Sequence, residues 1–183
     1  MTRYLQDSPT AGVESSRGES RDPVVFRAPV LADGARLWRL AADSGTLDVN
    51  SEYSYLLWCR DFAATSVVGC VGDSVVAFVT GYLRPDSPDV LFVWQVAVDS
   101  AHRRRGLAAR ALDALVDQVA RSRTVAWLEA TVTPDNVPSA RLFAGFARAR
   151  GASLTKQSLF TEDHFSGGSH NEEVLFRIGK LPH

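Results

Sequence analysis

The chain has 183 residues, a formal net charge of −1 and 45% hydrophobic residues. That length suits one domain with a single core, and that balance excludes a disordered polyelectrolyte or a polycationic nucleic-acid binder. No run approaches the roughly 18 apolar residues of a membrane span, and the opening MTRYLQDSPTAGVESSRGESRDP lacks a secretory signal's apolar stretch, so a cytoplasmic protein is expected.

Residues 1–22 are rich in Ser, Gly, Glu and Arg without periodicity, which predicts a disordered tail ahead of a domain spanning 23–183. Val24-Val25-Phe26 starts a strand. Asp33 is placed to cap a helix whose inward face is Leu37, Leu40 and Ala41, closed near Gly45. Asn50 or Ser51 caps a second helix from Glu52 to about Phe62. Thr65 to Val71, the pair Gly72-Asp73, and Ser74 to Leu83 read as a β-hairpin. Arg84 to Pro88 is then a loop. Cys59 and Cys70 sit in apolar surroundings without His or Cys at ligand spacing, so both are read as reduced core residues and no metal is expected.

Leu91 to Val98 has the Val and aromatic content of a buried strand. Beyond it, Leu107, Ala111, Leu115 and Val119 recur every four residues opposite Arg110, Asp113, Asp117 and Arg121, the pattern of an amphipathic helix. Val125 to Thr133 is another strand, broken by Pro134-Asp135-Asn136. Val137 to Arg148 follows as a helix with Ala140, Phe143, Ala144 and Ala147 inward. Ala152 to Phe160 and Glu172 to Ile178 are the last strands, joined by the loop Thr161 to His170. The order βαα-ββ-βα-βα-ββ is mixed α/β with hairpins at both ends.

A strand that feeds a tight turn and then a helix leaves unpaired N–H groups at the helix start, a natural anion site. Here the turn is Arg103-Arg104-Arg105-Gly106-Leu107-Ala108, whose guanidinium groups add forked donors for phosphate oxygens. Arg103-x-x-Gly106-x-Ala108, after a strand ending Val96-Ala97-Val98-Asp99, resembles the acetyl-CoA pyrophosphate loop of the GNAT superfamily of N-acetyltransferases. Asn136, Ala140 and the pair Leu142-Phe143 resemble the helix that follows the fifth strand in those enzymes, although Gly145-Phe146 comes early and Phe143 stands where many members carry Tyr. The resemblance implies a sheet splayed at two central strands. Acetyl-CoA would be held by the backbone of Val96, Ala97 and Val98, by 103–108, and by Asn136, Ser139 and Phe143. It also implies direct acetyl transfer to a neutral amine, with a backbone oxyanion donor and an acid-lined pocket to draw in and deprotonate the ammonium.

Three dispersed segments carry a narrower likeness. Asp48-x-Asn50-Ser51-x-Tyr53, Val93-Trp94-Gln95 and His170-x-x-Glu173 resemble the L-2,4-diaminobutyrate acetyltransferases of the ectoine pathway. That family implies acetylation of the γ-amine, with Asp48, Tyr53, Trp94, His170 and Glu173 around the acceptor and Glu173 or His170 as proton acceptor. The resemblance also implies a homodimer, as in many relatives. Glu129 is left off the acceptor residues, and no arginine stands out for the α-carboxylate, so backbone donors are considered for it. The rival readings are another acceptor (polyamine, peptide N-terminus or aminoglycoside), a non-catalytic acyl-CoA-binding module, and nucleic-acid binding through Arg103 to Arg105.

Overall fold

The computed structural model describes residues 23–166 and 171–181. The expected tail, 1–22, and His170 lie outside the described residues. In chain order the elements are β1 (Val25–Arg27), α1 (Gly34–Ala42), α2 (Glu52–Asp61), β2 (Val67–Val71), β3 (Ser74–Arg84) and β4 (Ser87–Val98), then α3 (Leu107–Ala120), β5 (Trp127–Val132), α4 (Val137–Ala149), β6 (Ser153–Phe160) and β7 (Glu173–Gly179). The strands form one sheet in the order β1-β2-β3-β4-β5-β7-β6. Neighbours run antiparallel except β4 and β5, which are parallel and joined through α3. Mixed α/β architecture is as expected.

Each face of the sheet buries the apolar stripe of a helix pair. On one face Ala111, Leu112, Leu115, Val116 and Val119 of α3, with Phe143, Phe146 and Ala147 of α4, pack over Val79, Leu91, Val93, Leu128, Ala130 and Ile178. On the other, Leu37, Leu40 and Ala41 of α1 and Tyr55 and Cys59 of α2 cover Val68, Val75, Phe78 and Ala97. Over β5 and β7 this second face becomes the floor of a cleft lined by Glu129, Thr131, Glu173 and Leu175. Cys59 and Cys70 are buried free thiols, and burial pushes Cys59 up to about 11, far from a nucleophile's range.

Three local readings change. Arg84 to Pro88 is not a loop: β3 runs through Arg84 and β4 begins at Ser87, leaving only Pro85-Asp86 to turn. Proline needs no ladder donor near a strand start, so Pro88 does not end β4. In α4 the inward face takes Phe146 instead of Ala144, which is exposed, because the larger ring fills the space beneath the sheet. Asp33 does not cap α1. Its carboxylate accepts from Val30 N–H at 2.7 Å and from Arg27 at 2.7 and 3.0 Å, tying β1 to the 3₁₀ turn at Leu31–Asp33 that precedes α1.

Burial alone would raise the Asp33 carboxyl, but the hydrogen bonds from Arg27 and Val30 outweigh it and hold it below the ordinary range. A carboxyl depressed in the folded state contributes stability above its unfolded value, and that contribution is lost as pH falls through the folded one. Asp33→Asn is therefore expected to cost about 2 kcal/mol at neutral pH. The deficit should shrink as pH drops below about 4. Urea denaturation of both proteins at several pH values checks this.

Candidate functional site

The site begins with a register fault. Thr80 pairs with Gln95 and Gly81 with Val93, so one step of β3 faces two of β4 and Trp94 is the extra residue. Gly81 permits the fit, since a Cβ there would lie 2.7 Å from the Phe92 carbonyl oxygen. A bulge bends its strand and reverses the alternation of faces. Leu91 and Val93 face α3 and α4, whereas beyond Trp94 the side chains of Gln95 and Ala97 turn toward α1 and α2. Pairing between β4 and β5 covers Val90 to Val93 and no further among the described residues. The stretch Trp94 to Val98, with the end of β5, therefore lines an opening in the sheet. This is the expected splay.

At the far end of β4 the chain enters the Arg-rich turn through the 3₁₀ segment Ser100–His102, capped by Asp99 accepting from Ala101 N–H at 3.0 Å. Asp99 also receives Arg36 of α1 at 2.6 Å. Burial raises the Asp99 carboxyl, but hydrogen bonds from Ala101, His102 and Arg36 prevail and hold it below the ordinary range. Arg103 folds back, donating to Val98 O at 3.3 Å and Ser44 O at 3.4 Å. Arg104 and Gly106 adopt left-handed φ of 61° and 70°, swinging the chain into α3. No side chain caps α3, and its Arg110 N–H is the one bonded to Gly106 O, so the N–H groups of Leu107 and Ala108 remain for a ligand. Arg104 and Arg105 are exposed beside them.

Across the opening, Asn136 caps α4 by accepting from Ser139 N–H at 3.1 Å. Phe143 departs from its expected place at the cofactor: it is 3% exposed, and its ring lies 6.2 Å from that of Phe176. One turn and a half into α4, position 143 falls on the helix face that packs under the sheet.

Two adjoining clefts meet at the opening. One, of about 510 Å³, takes in Asp48, Trp94, Gln95, Thr131, Thr133, Asp135, Asn136, Asn171 and Glu173. The other, of about 470 Å³, lies deeper along the strands and takes in Tyr82, Arg84, Phe92, Glu129 and Phe165. Asp48, Trp94, Thr131 and Glu173 line both. Carboxylates dominate this junction, and Trp94 stands over it half exposed, its ring 6.2 Å from that of Trp58 in a stacked arrangement. Gln95 fixes the segment that carries Asp48: its Nε2 donates to Asp48 O at 2.8 Å while its Oε1 accepts from Tyr55 OH at 3.0 Å. Asp135 is held below the ordinary carboxyl range by hydrogen bonds from the Thr133 side chain, its own backbone and Asn171.

The structure thus brings Asp48, Trp94 and Glu173 together. Tyr53 is not with them: α2 turns its ring outward, 66% exposed, and the buried tyrosine of that helix is Tyr55. Thr131, Thr133, Gln95 and Arg84 complete the junction without having been expected there, and Glu129, left off the acceptor residues although its strand could aim it into the cleft, joins them. Period-two alternation along 125–133 puts Glu129 and Thr131 on one face, a signal that was available.

Comparison with known proteins identifies the family. The acetyltransferase (GNAT) family matches residues 34–146. The L-2,4-diaminobutyric acid acetyltransferase of Streptomyces coelicolor is 60% identical over 154 residues, 84% of this chain and 91% of that protein. The enzyme of the same name from Marinococcus halophilus is 45% identical over 160 residues, 87% of this chain and 92% of that protein. Diaminobutyrate acetyltransferase EctA from Paenibacillus lautus, solved with its substrate L-2,4-diaminobutyric acid and coenzyme A, superposes with a TM-score of 0.83 at 39% identity, over 88% of this chain and 98% of that one. A family match across more than half of the chain, and relatives this similar along nearly their whole length, establish that the chain belongs to the acetyltransferase (GNAT) family.

Proposed function

We propose that this protein transfers the acetyl group of acetyl-CoA to the γ-amine of L-2,4-diaminobutyrate. The observation that carries the reading is the junction of two clefts at the β4–β5 opening, lined by Asp48, Trp94, Thr131 and Glu173. Its relatives at 45–60% identity bear the name of that activity.

The roles follow from position. The pyrophosphate sits at the start of α3, on the N–H groups of 106–108, with Arg104 and Arg105 beside it and Arg103 bracing the turn. Val96, Ala97 and Val98 offer backbone groups to the pantetheine arm along the opened edge of β4, and an N–H there polarises the thioester carbonyl. Asn136 and Ser139 border the opposite wall. Asp48 and Glu173 attract the diammonium substrate, and Trp94 supplies an aromatic face for it. Glu173 or His170 accepts the proton of the attacking amine, directly or through a water. Holding amine and thioester together at the opening supplies the remaining advantage. With Phe143 buried, the departing thiolate takes its proton from water or from a group at the junction such as Thr133. The acyl donor is a cytoplasmic metabolite, and the product suits compatible-solute synthesis under osmotic stress. A homodimer is part of this reading, and the exposed Tyr53 and Leu56 of α2, one helical turn apart, offer apolar surface for it.

CoA release is to be followed with diaminobutyrate, ornithine, lysine, spermidine and a peptide as acceptors. Strong preference for diaminobutyrate is expected. Turnover with spermidine or the peptide alone would remove the assignment. Glu173→Gln and Asp48→Asn are expected to lower kcat/KM by about 100-fold or more while acetyl-CoA still binds. Intact turnover in both variants would dismiss the pocket assignment. Gly106→Ala puts a Cβ at φ 70° in the anion turn. The strain, about 1–2 kcal/mol, is expected to weaken acetyl-CoA binding about tenfold, measured by calorimetry, with little effect on the KM for amine.

A further inference from the structure

Among the described residues around the junction, Glu129 is the acidic side chain that is fully buried, 1% exposed, in the middle of β5. Two guanidinium groups meet it. Arg84 Nη1 donates to Oε2 at 3.1 Å, and Arg177 Nη1 lies 3.2 Å from Oε1. One cation neutralises a buried carboxylate, so the second leaves this cluster with a net positive charge. The two arginines differ in what else they do. Arg177 lays its guanidinium 4.4 Å from the centre of the Trp127 ring. Arg84 lines the second cleft, its side chain 42% exposed, and among the described residues it hydrogen-bonds Glu129 alone. Its other donors have no acceptor among the described residues. A positive fork at the end of an otherwise acidic cleft calls for an anionic group on the ligand.

Distance along β5 says which anionic group. Glu129 and Thr131 point to the same face two residues apart, about 7 Å. Thr131 stands at the junction, where the acetyl group would be delivered. In extended 2,4-diaminobutyrate the carboxylate carbon and the γ-nitrogen are four bonds, or about 5 Å, apart. The α-nitrogen is only two bonds from that carbon, about 2.5 Å. A carboxylate seated on Arg84 therefore lets the γ-amine reach the junction and keeps the α-amine short of it.

We propose that Arg84, steadied by Glu129, binds the α-carboxylate of the acceptor and thereby selects both an amino acid over a simple diamine and the γ- over the α-nitrogen. This rests on the diaminobutyrate reading above. Glu129 is a positioning residue, holding the Arg84 fork in the plane that a carboxylate matches in two parallel hydrogen bonds.

The test compares kcat/KM for L-2,4-diaminobutyrate and for 1,3-diaminopropane, the same diamine without the carboxylate. Arg84→Gln is expected to lower the preference for diaminobutyrate by about 100-fold, the loss of charge-assisted hydrogen bonds to one anion. Its products should include both the α- and the γ-monoacetyl isomers, whereas Arg84→Lys keeps the charge and part of the preference. A ratio unchanged within about threefold, with γ-acetylation intact, would overturn the proposal, because a residue that only shaped the cleft would affect both substrates alike. The double variant Arg84→Gln/Glu129→Gln removes the buried charge as well and should show the same loss of preference, and acetyl-CoA binding verifies the fold of each variant. A wild type inactive on diaminobutyrate would overturn the functional reading itself, and a selective wild type with an equally selective Arg84→Gln would overturn this proposal alone.

Discussion

The extra residue at Trp94 is the constraint on which the rest of the site depends. Without it β4 would continue its ladder with β5, and the sheet would stay closed where the two clefts join. One unpaired residue bends the strand, frees its edge and exchanges the faces of everything that follows. Gln95 then turns toward α2, where it binds Tyr55 and the backbone of Asp48 together. Trp94 itself is left half exposed over the junction. The same fault opens the sheet, positions an acidic loop and provides an aromatic wall.

Charge is distributed along this opening in a way that suits two different ligands. At the start of α3, uncapped N–H groups and exposed arginines favour phosphate oxygens. Asp99 sits one residue beyond β4 and fixes that turn against α1 through Arg36, so the anion site is braced by an ion pair made outside it. In the proposed acceptor site Asp48 and Glu173 would favour ammonium groups, and the Arg84–Glu129–Arg177 cluster adds one positive end. A short amino-acid substrate seated as proposed would find the opposite sign of charge at both ends, which would orient it before any chemistry occurs.

Much of this was legible in the sequence, for identifiable reasons. Helical spacing from Leu107 to Val119 and the glycine after three arginines define α3 and its turn, because local patterns encode local structure. Asn136 ahead of Pro138 marks the start of α4 in the same way. The acceptor cleft was harder to read, since it is assembled from β3, β4, β5 and β7, whose pairing is non-local. Arg84 looked like a loop residue because Pro85 and Pro88 flank it, yet the hairpin register carries it onto the sheet opposite Ser87. Glu129, one carboxylate in an apolar strand, acquires its meaning only when Arg84 and Arg177 arrive from strands on either side. Tyr53 and Tyr55 show the limit from the other direction: two tyrosines on one helix, and only packing tells which of them faces inward.

The most direct measurement is a crystal structure with L-2,4-diaminobutyrate and an unreactive acetyl-CoA analogue bound together. The account predicts the γ-nitrogen in the opening between β4 and β5, about 3–3.5 Å from the carbon that stands for the thioester carbonyl, with the α-carboxylate toward Arg84. An acceptor bound away from that opening, or one presenting its α-amine to the acyl group, would contradict it.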